Sequence, residues 1–148
     1  MRIWHHPVTL EQINQLNSGC AVSHLGIECM ELGDDYLTAR MPVDARTRQP
    51  FGLLHGGCSM VLAETLASVA SVCTVDTSQF LCVGQEINAN HVRAVRDGWV
   101  TGTARPAHLG RTSQVWEVRI VNEQDKLVCI SRVTMAVVPR AALEKTGA

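Results

Sequence analysis

Between His55 and Asp76 the chain runs GGCSMVLAETLASVASVCTV, twenty residues in which Glu64 is the only charged side chain. The run has no proline and is too long for a strand, so it reads as a helix. A helix that apolar must be covered on most of its circumference by other elements. The chain has 148 residues, enough for one domain, so the cover has to come from its own remaining segments. Length alone would also admit a membrane span, but the glycines, serines, threonines and central carboxylate favour a core helix of a globular protein.

What flanks this helix is mostly strand. PVTLEQINQLN predicts a short helix, with Thr9 as its cap and Gln12 in the capping-box position. GIECMELGDDYLTARMPV predicts a hairpin around Gly33-Asp34-Asp35, and DARTRQPFG a loop leading into the long helix. After Asp76 come four strand-like segments: FLCVGQEINANHV, WVTGTARPAHL, TSQVWEVRIVN and LVCISRVTMAVV. In the third, Val115, Glu117 and Arg119 alternate with Trp116, Val118 and Ile120, a period of two. Connections as short as RAVRDG and EQDK imply antiparallel neighbours, because parallel crossovers need a dozen residues or more. The expected architecture is α+β, an antiparallel sheet curled around one long helix. Residues 1–139 form the single domain, and residues 140–148 are expected to fray.

Composition removes several classes of function. A formal net charge of −1 advertises neither a nucleic-acid surface nor a membrane patch. MRIWHHPVTLEQINQLN contains no apolar signal core, and six cysteines without a C-x-x-C pair read as reduced thiols, which together imply a cytoplasmic protein. The histidines and cysteines offer no paired metal-ligand spacing, so no metal is expected.

Glu64 therefore needs a reason. Gly57, Val61, Glu64, Ser68 and Ser71 share one helical stripe of small and polar residues, while Leu62, Leu66, Val69 and Cys73 form a purely apolar one. Three readings compete: a buried Glu paired with an Arg from a strand, an exposed Glu on an amphipathic face, and a partly desolvated catalytic carboxylate. Upstream, QPFGLLHGG brings Gln49, His55 and two glycines to the helix start. Backbone N–H groups of a first helical turn lack partners, and a carbonyl held against them has its developing oxyanion stabilised. Gly-Gly also serves a tight turn, so this feature alone does not decide. Cys58, three residues after His55, lacks a third orienting group and is not read as a nucleophile. Gly56 and Glu64 are eight positions apart, about 12 Å along a helix axis. One carbonyl does not span that gap, so if both groups act on one carbon they come from two copies of the chain.

QPFGLLHGGCSMVLAET, together with MPVDARTRQPFG, EINANHVR and AHLGR, resembles the hotdog-fold acyl-CoA thioesterases of the Arthrobacter-type 4-hydroxybenzoyl-CoA branch. The likeness covers residues 21–138 and extends to two groups within the branch, the proofreading thioesterases of enterobactin synthesis and the 1,4-dihydroxy-2-naphthoyl-CoA hydrolases of menaquinone synthesis. It implies a hotdog fold, a homodimer with shared active sites, and commonly a homotetramer. By resemblance Glu64 is the catalytic carboxylate, nucleophile or general base. Gly56 supplies the N–H that polarises the thioester carbonyl, His55 lies near that carbonyl, Gln49 positions the thioester or water, and Ser68 is the hydroxyl one turn beyond the Glu.

The reaction so implied is hydrolysis of aromatic or hydroxyaromatic acyl thioesters of coenzyme A, with no cofactor because coenzyme A is part of the substrate. A carrier-protein thioester is the alternative substrate form, and a non-catalytic acyl-CoA binding module is the remote one. Coenzyme A carries phosphates, so His91, Arg93 and Arg111, with backbone around Val83 and Gly84, are the expected binding set. With only two Phe, three Trp and one Tyr in the chain, the acyl group is expected to lie against aliphatic side chains.

Overall fold

The computed structural model describes residues 1–144. Two short helices, α1 (Leu10–Leu16) and α2 (Ala21–His24), precede a hairpin of β1 (Glu28–Leu32) and β2 (Leu37–Pro42). The long helix α3 (Gly56–Cys73) follows, then β3 (Phe80–His91), β4 (Trp99–Leu109), β5 (Ser113–Asn122), β6 (Leu127–Pro139) and α4 (Arg140–Glu144). The strands form one six-stranded antiparallel sheet in the order β1-β2-β4-β5-β6-β3. This is the hotdog arrangement expected from the sequence. Part of the tail expected to fray is the helix α4, and residues 145–148 lie outside the described residues.

Local chemistry sets most boundaries. Thr9 accepts from the Gln12 N–H at 3.2 Å while the Gln12 side chain accepts from the Thr9 N–H at 3.0 Å, the reciprocal capping box that starts α1. Asn14 then ties α1 to β1, donating to the Cys29 carbonyl at 3.0 Å and accepting from the Cys29 N–H at 2.8 Å. The four-residue α2 was not expected; it is too short to carry a hydrophobic period.

One strand pairing differs from expectation. The short RAVRDG connection implied that β3 and β4 are neighbours, but β3 pairs with β6 at the sheet's end and β4 lies between β2 and β5. The backbone of residues 92–98 finds partners elsewhere. Val92 N–H donates to the Val128 carbonyl at 2.8 Å, and the Val95 carbonyl accepts from Leu54 N–H at 2.8 Å. The connection is thus a crossover pinned to the loop before α3, not a hairpin turn.

The core lies between α3 and the concave face of the sheet. Leu62, Ala63, Leu66, Ala67 and Ala70 are fully buried on the helix, against Val100 and Ala104 of β4, Trp116, Val118 and Ile120 of β5, and Val133 and Met135 of β6. The alanines let the helix approach the sheet closely, and each large side chain removed from water contributes about 1.5–3 kcal/mol. Trp116 donates to Gln114 Oε1 at 3.0 Å, and Gln114 Nε2 donates to Thr74 Oγ1 at 2.8 Å, which secures the C-terminal end of α3 to β5. The α3 stripes turn slightly from expectation: Ser71 is fully buried, while Val69 and Cys73 are half-buried and border a surface cleft.

Candidate active site

The loop before α3 is held by its own backbone and side chains. Thr47 is fully buried; its hydroxyl donates to the Pro42 carbonyl at 2.7 Å, and its carbonyl accepts from His55 N–H at 2.8 Å. Arg48 bridges to Leu54, and Arg48 Nε donates to the Arg96 carbonyl at 2.8 Å. Within this frame the Gln49 side-chain oxygen accepts from Phe51 N–H at 2.5 Å, and Leu53 N–H lies 3.4 Å from it. With the oxygen engaged in the turn, the amide –NH₂ of Gln49 has no acceptor among the described residues.

His55 is the N-cap of α3. Its Nδ1 accepts from Gly57 N–H at 2.8 Å, which places the ring proton of the neutral form on Nε2. The His55 carbonyl accepts from Cys58 N–H at 2.9 Å and Ser59 N–H at 3.3 Å. Among the described residues Gly56 N–H has no acceptor. The cap thus satisfies its neighbours and leaves one N–H, at the positive end of the helix dipole, for an incoming oxygen. His91, at the end of β3, lies directly on Gly56: a Cβ there would sit 2.8 Å from Nε2 of His91. The structure therefore brings Gln49, His55, Gly56 and His91 to one end of α3.

Glu64 stands two turns further on. The expectation of a buried carboxylate does not hold within one chain: Glu64 is exposed. Among the described residues its surroundings are Gly84 on the edge strand β3 and the cleft lined by Asn17, Ala21 and Val22, which leave it open. Among the described residues no Arg or Lys pairs with it, which removes the ion-pair reading. Its Oε1 instead rests over Gly84, where a Cβ would collide with it. The β3–β6 register shifts between Gly84 and Glu86, so the carboxylate meets the strand at a bulge.

Two clefts meet beside it. One, of about 380 Å³, runs from Glu64 and Val61 across Ser68 to Asn17 and α2. The second, of about 420 Å³, is largely apolar and lies between α3 and the N-terminal segment with α1, bordered by Val8, Ile13, Val69 and Val72. Asn17, Ser68 and Val69 belong to both. Ser68 is half-buried, with Oγ 4.0 Å from Met135 Sδ.

The expected coenzyme A residues divide. Val83 is 45% exposed and Gly84 adjoins Glu64 on the same strand. Arg93 is exposed, its Nε donating to the Leu127 carbonyl at 3.2 Å. Arg111 is not brought to this group within one chain. It borders a cleft with Val75, Asp76 and Gln79, beyond the C-terminus of α3. The 18 residues of α3 set that end about 27 Å from Gly56. Burial raises the Cys58 thiol, the opposite of the lowered value that activates a nucleophilic cysteine.

Sequence reasoning missed Thr47 and Asn17. Thr47 carried a faint signal in Asp44-x-x-Thr47, a turn pattern borne out by the Asp44 N–H donating to its hydroxyl at 3.0 Å. Asn17 follows Leu10 and Ile13 at helical spacing, so the inner face of α1 was readable, although its target was not.

Residues 51–129 match the family model described as the thioesterase superfamily. The chain is 54% identical over 135 residues to the proofreading thioesterase EntH of Cronobacter turicensis, covering 91% of this chain and 98% of the relative. It is 50% identical, with the same coverage, to the 1,4-dihydroxy-2-naphthoyl-CoA hydrolase of Escherichia coli K12. A crystal structure of a mutant of the Pseudomonas aeruginosa thioesterase PA1618 superposes with a TM-score of 0.91 at 53% identity, over 93% of this chain and 99% of the other. With this fold and these relatives, the chain belongs to the thioesterase superfamily and is a thioester hydrolase.

Proposed function

We propose that the protein hydrolyses aromatic and hydroxyaromatic acyl thioesters of coenzyme A in a site shared by two copies of the chain. The observation that carries this reading is the pairing of an unliganded Gly56 N–H with a carboxylate, Glu64, that the same helix holds about 12 Å away. A carbonyl bound at Gly56 of one protomer is then attacked with help from Glu64 of the other, and the exposure of Glu64 leaves room for that partner. Glu64 takes the proton of a water whose oxygen bonds to the acyl carbon, or attacks that carbon itself before water releases the acid. In either course the oxyanion is held by Gly56 N–H, the C–S bond breaks, and the departing thiolate takes a proton. Gln49, through its free amide –NH₂, and His55 orient the thioester, and Ser68 flanks Glu64.

The acyl group fits the apolar cleft beneath α1, and the pantetheine arm and phosphates leave past Gly84, Val83, His91 and Arg93. Arg111 enters only from a neighbouring protomer. The dimer pairs into a tetramer in the cytoplasm. A carrier-protein thioester is the second reading, favoured by relatives named proofreading thioesterases. The test is release of free thiol from benzoyl-CoA, hydroxynaphthoyl-CoA and carrier-bound dihydroxybenzoate by the purified protein, with crotonyl-CoA as control. Thiol release from the CoA thioesters supports the proposal; hydration of crotonyl-CoA without thiol release, or tight binding without turnover, contradicts it.

A further inference from the structure

Asn17 closes α1 as its C-cap and stands where the Glu64 cleft opens into the apolar cleft. Its Nδ2 is buried and, among the described residues, has no hydrogen-bond partner. A buried donor without an acceptor costs the desolvation of that group, and folded proteins leave few such groups unpaired. The neighbouring Asn14 shows the contrast, with both ends of its amide engaged by Cys29. Asn17 lines both clefts, whose other shared residues, Ser68 and Val69, lie one turn beyond Glu64. One helical turn is about 5.4 Å, so an acyl group attacked at Glu64 and extending under α1 passes Asn17 within its first ring or first few carbons.

We infer that Asn17 is a specificity-determining residue, donating from Nδ2 to an oxygen carried by the acyl group itself. The inference rests on the reading of the Glu64 cleft as the reaction site and adds a discrimination to it. An acyl group bearing a hydroxyl or keto oxygen satisfies the orphan donor, whereas an unsubstituted ring of the same shape leaves it unpaired. Sites built around a hydrogen bond to substrate select against the analogue that lacks the partner.

The test compares kcat/KM for benzoyl-CoA with that for 2-, 3- and 4-hydroxybenzoyl-CoA in the wild-type protein, Asn17→Ala and Asn17→Leu. The leucine keeps a similar volume and can neither donate nor accept, so it separates hydrogen bonding from packing at the helix end. The wild type is expected to favour at least one hydroxylated isomer by about fivefold or more, the worth of one net hydrogen bond. Both variants are expected to lose that preference while still hydrolysing benzoyl-CoA. Wild-type turnover of all four without preference, or a preference that survives in either variant, overturns the role of Asn17 and leaves the proposed reaction standing. An equal loss on all four substrates makes Asn17 structural and also overturns it. Failure of the wild type to hydrolyse any of the four overturns the reaction and this inference together.

Discussion

The imidazole of His91 occupies the space where a side chain on Gly56 would begin, with Nε2 only 2.8 Å from the position of a Cβ. A strand end and a helix start are thereby locked together at the one N–H of α3's first turn that its cap does not use. Glycine is required here for close approach, since its backbone lies at the start of an ordinary helix.

Gly56→Ala is therefore expected to push His91 away or tilt the first turn, while the helix itself tolerates alanine well. Displacing a positioned group by about 1 Å costs on the order of 10²-fold in rate. Steady-state kinetics on benzoyl-CoA should show a fall of about that size in kcat, and thermal melting should show a folded protein. Unchanged kcat would remove this contact from the site.

Gly84→Ala tests the other end. The new methyl group collides with Oε1 of Glu64, the far end of a flexible side chain, so the carboxylate moves and the fold does not. We expect kcat to drop by about 10²-fold with stability changed by less than about 1 kcal/mol in urea denaturation. An equal loss of stability and activity would indicate that the bulge, not the carboxylate, had been disturbed.

The buried thiols predict a loss of stability in alkali. Burial pushes Cys29, Cys73 and Cys82 from an ordinary 9.0 up to about 11, with nearby Cys73 and Glu28 adding to the shift at Cys29 and Cys82 adding to it at Cys73. A folded-state value above the unfolded one means the stabilisation is complete below about pH 9 and declines as pH rises toward about 11. Urea midpoints measured from pH 8 to pH 11 should fall through that window. Replacing Cys73 by Ala should flatten the decline, and a midpoint constant to pH 11 would contradict the assignment.

Much of this arrangement was legible in the sequence because it is local. The capping box at Thr9, the period of two in β5 and the uninterrupted apolar helix each follow from neighbours within a few residues. Glu64 stood out because no other charge shares its helix. The pairing of β3 with β6 was not legible, since it joins segments whose partners are settled only when the whole sheet forms. The exposure of Glu64 was misjudged for a related reason. Apolar neighbours along the chain suggested burial, yet they face the sheet while Glu64 lies open beside Gly84. Asn17 escaped notice because its significance lies in an unpaired amide at the meeting of two clefts, which composition and spacing do not encode.

The central claim, that Glu64 of one protomer serves Gly56 of another, is tested most directly by complementation. Glu64→Ala removes the carboxylate, and by itself is expected to cost at least about 10²-fold in kcat/KM on benzoyl-CoA. Gly56→Pro removes the N–H at a first-turn position whose backbone suits proline, behind a His55 already extended at φ −70 and ψ 127, and its ring also displaces His91. Co-expressed with different tags and purified together, the two inactive variants should form mixed dimers in which one of the two shared sites is intact. Hydrolysis of benzoyl-CoA should then return to about a quarter of the wild-type rate for random pairing. Mixed dimers with no more activity than either variant alone would show that each site is built within a single chain, and would contradict the account.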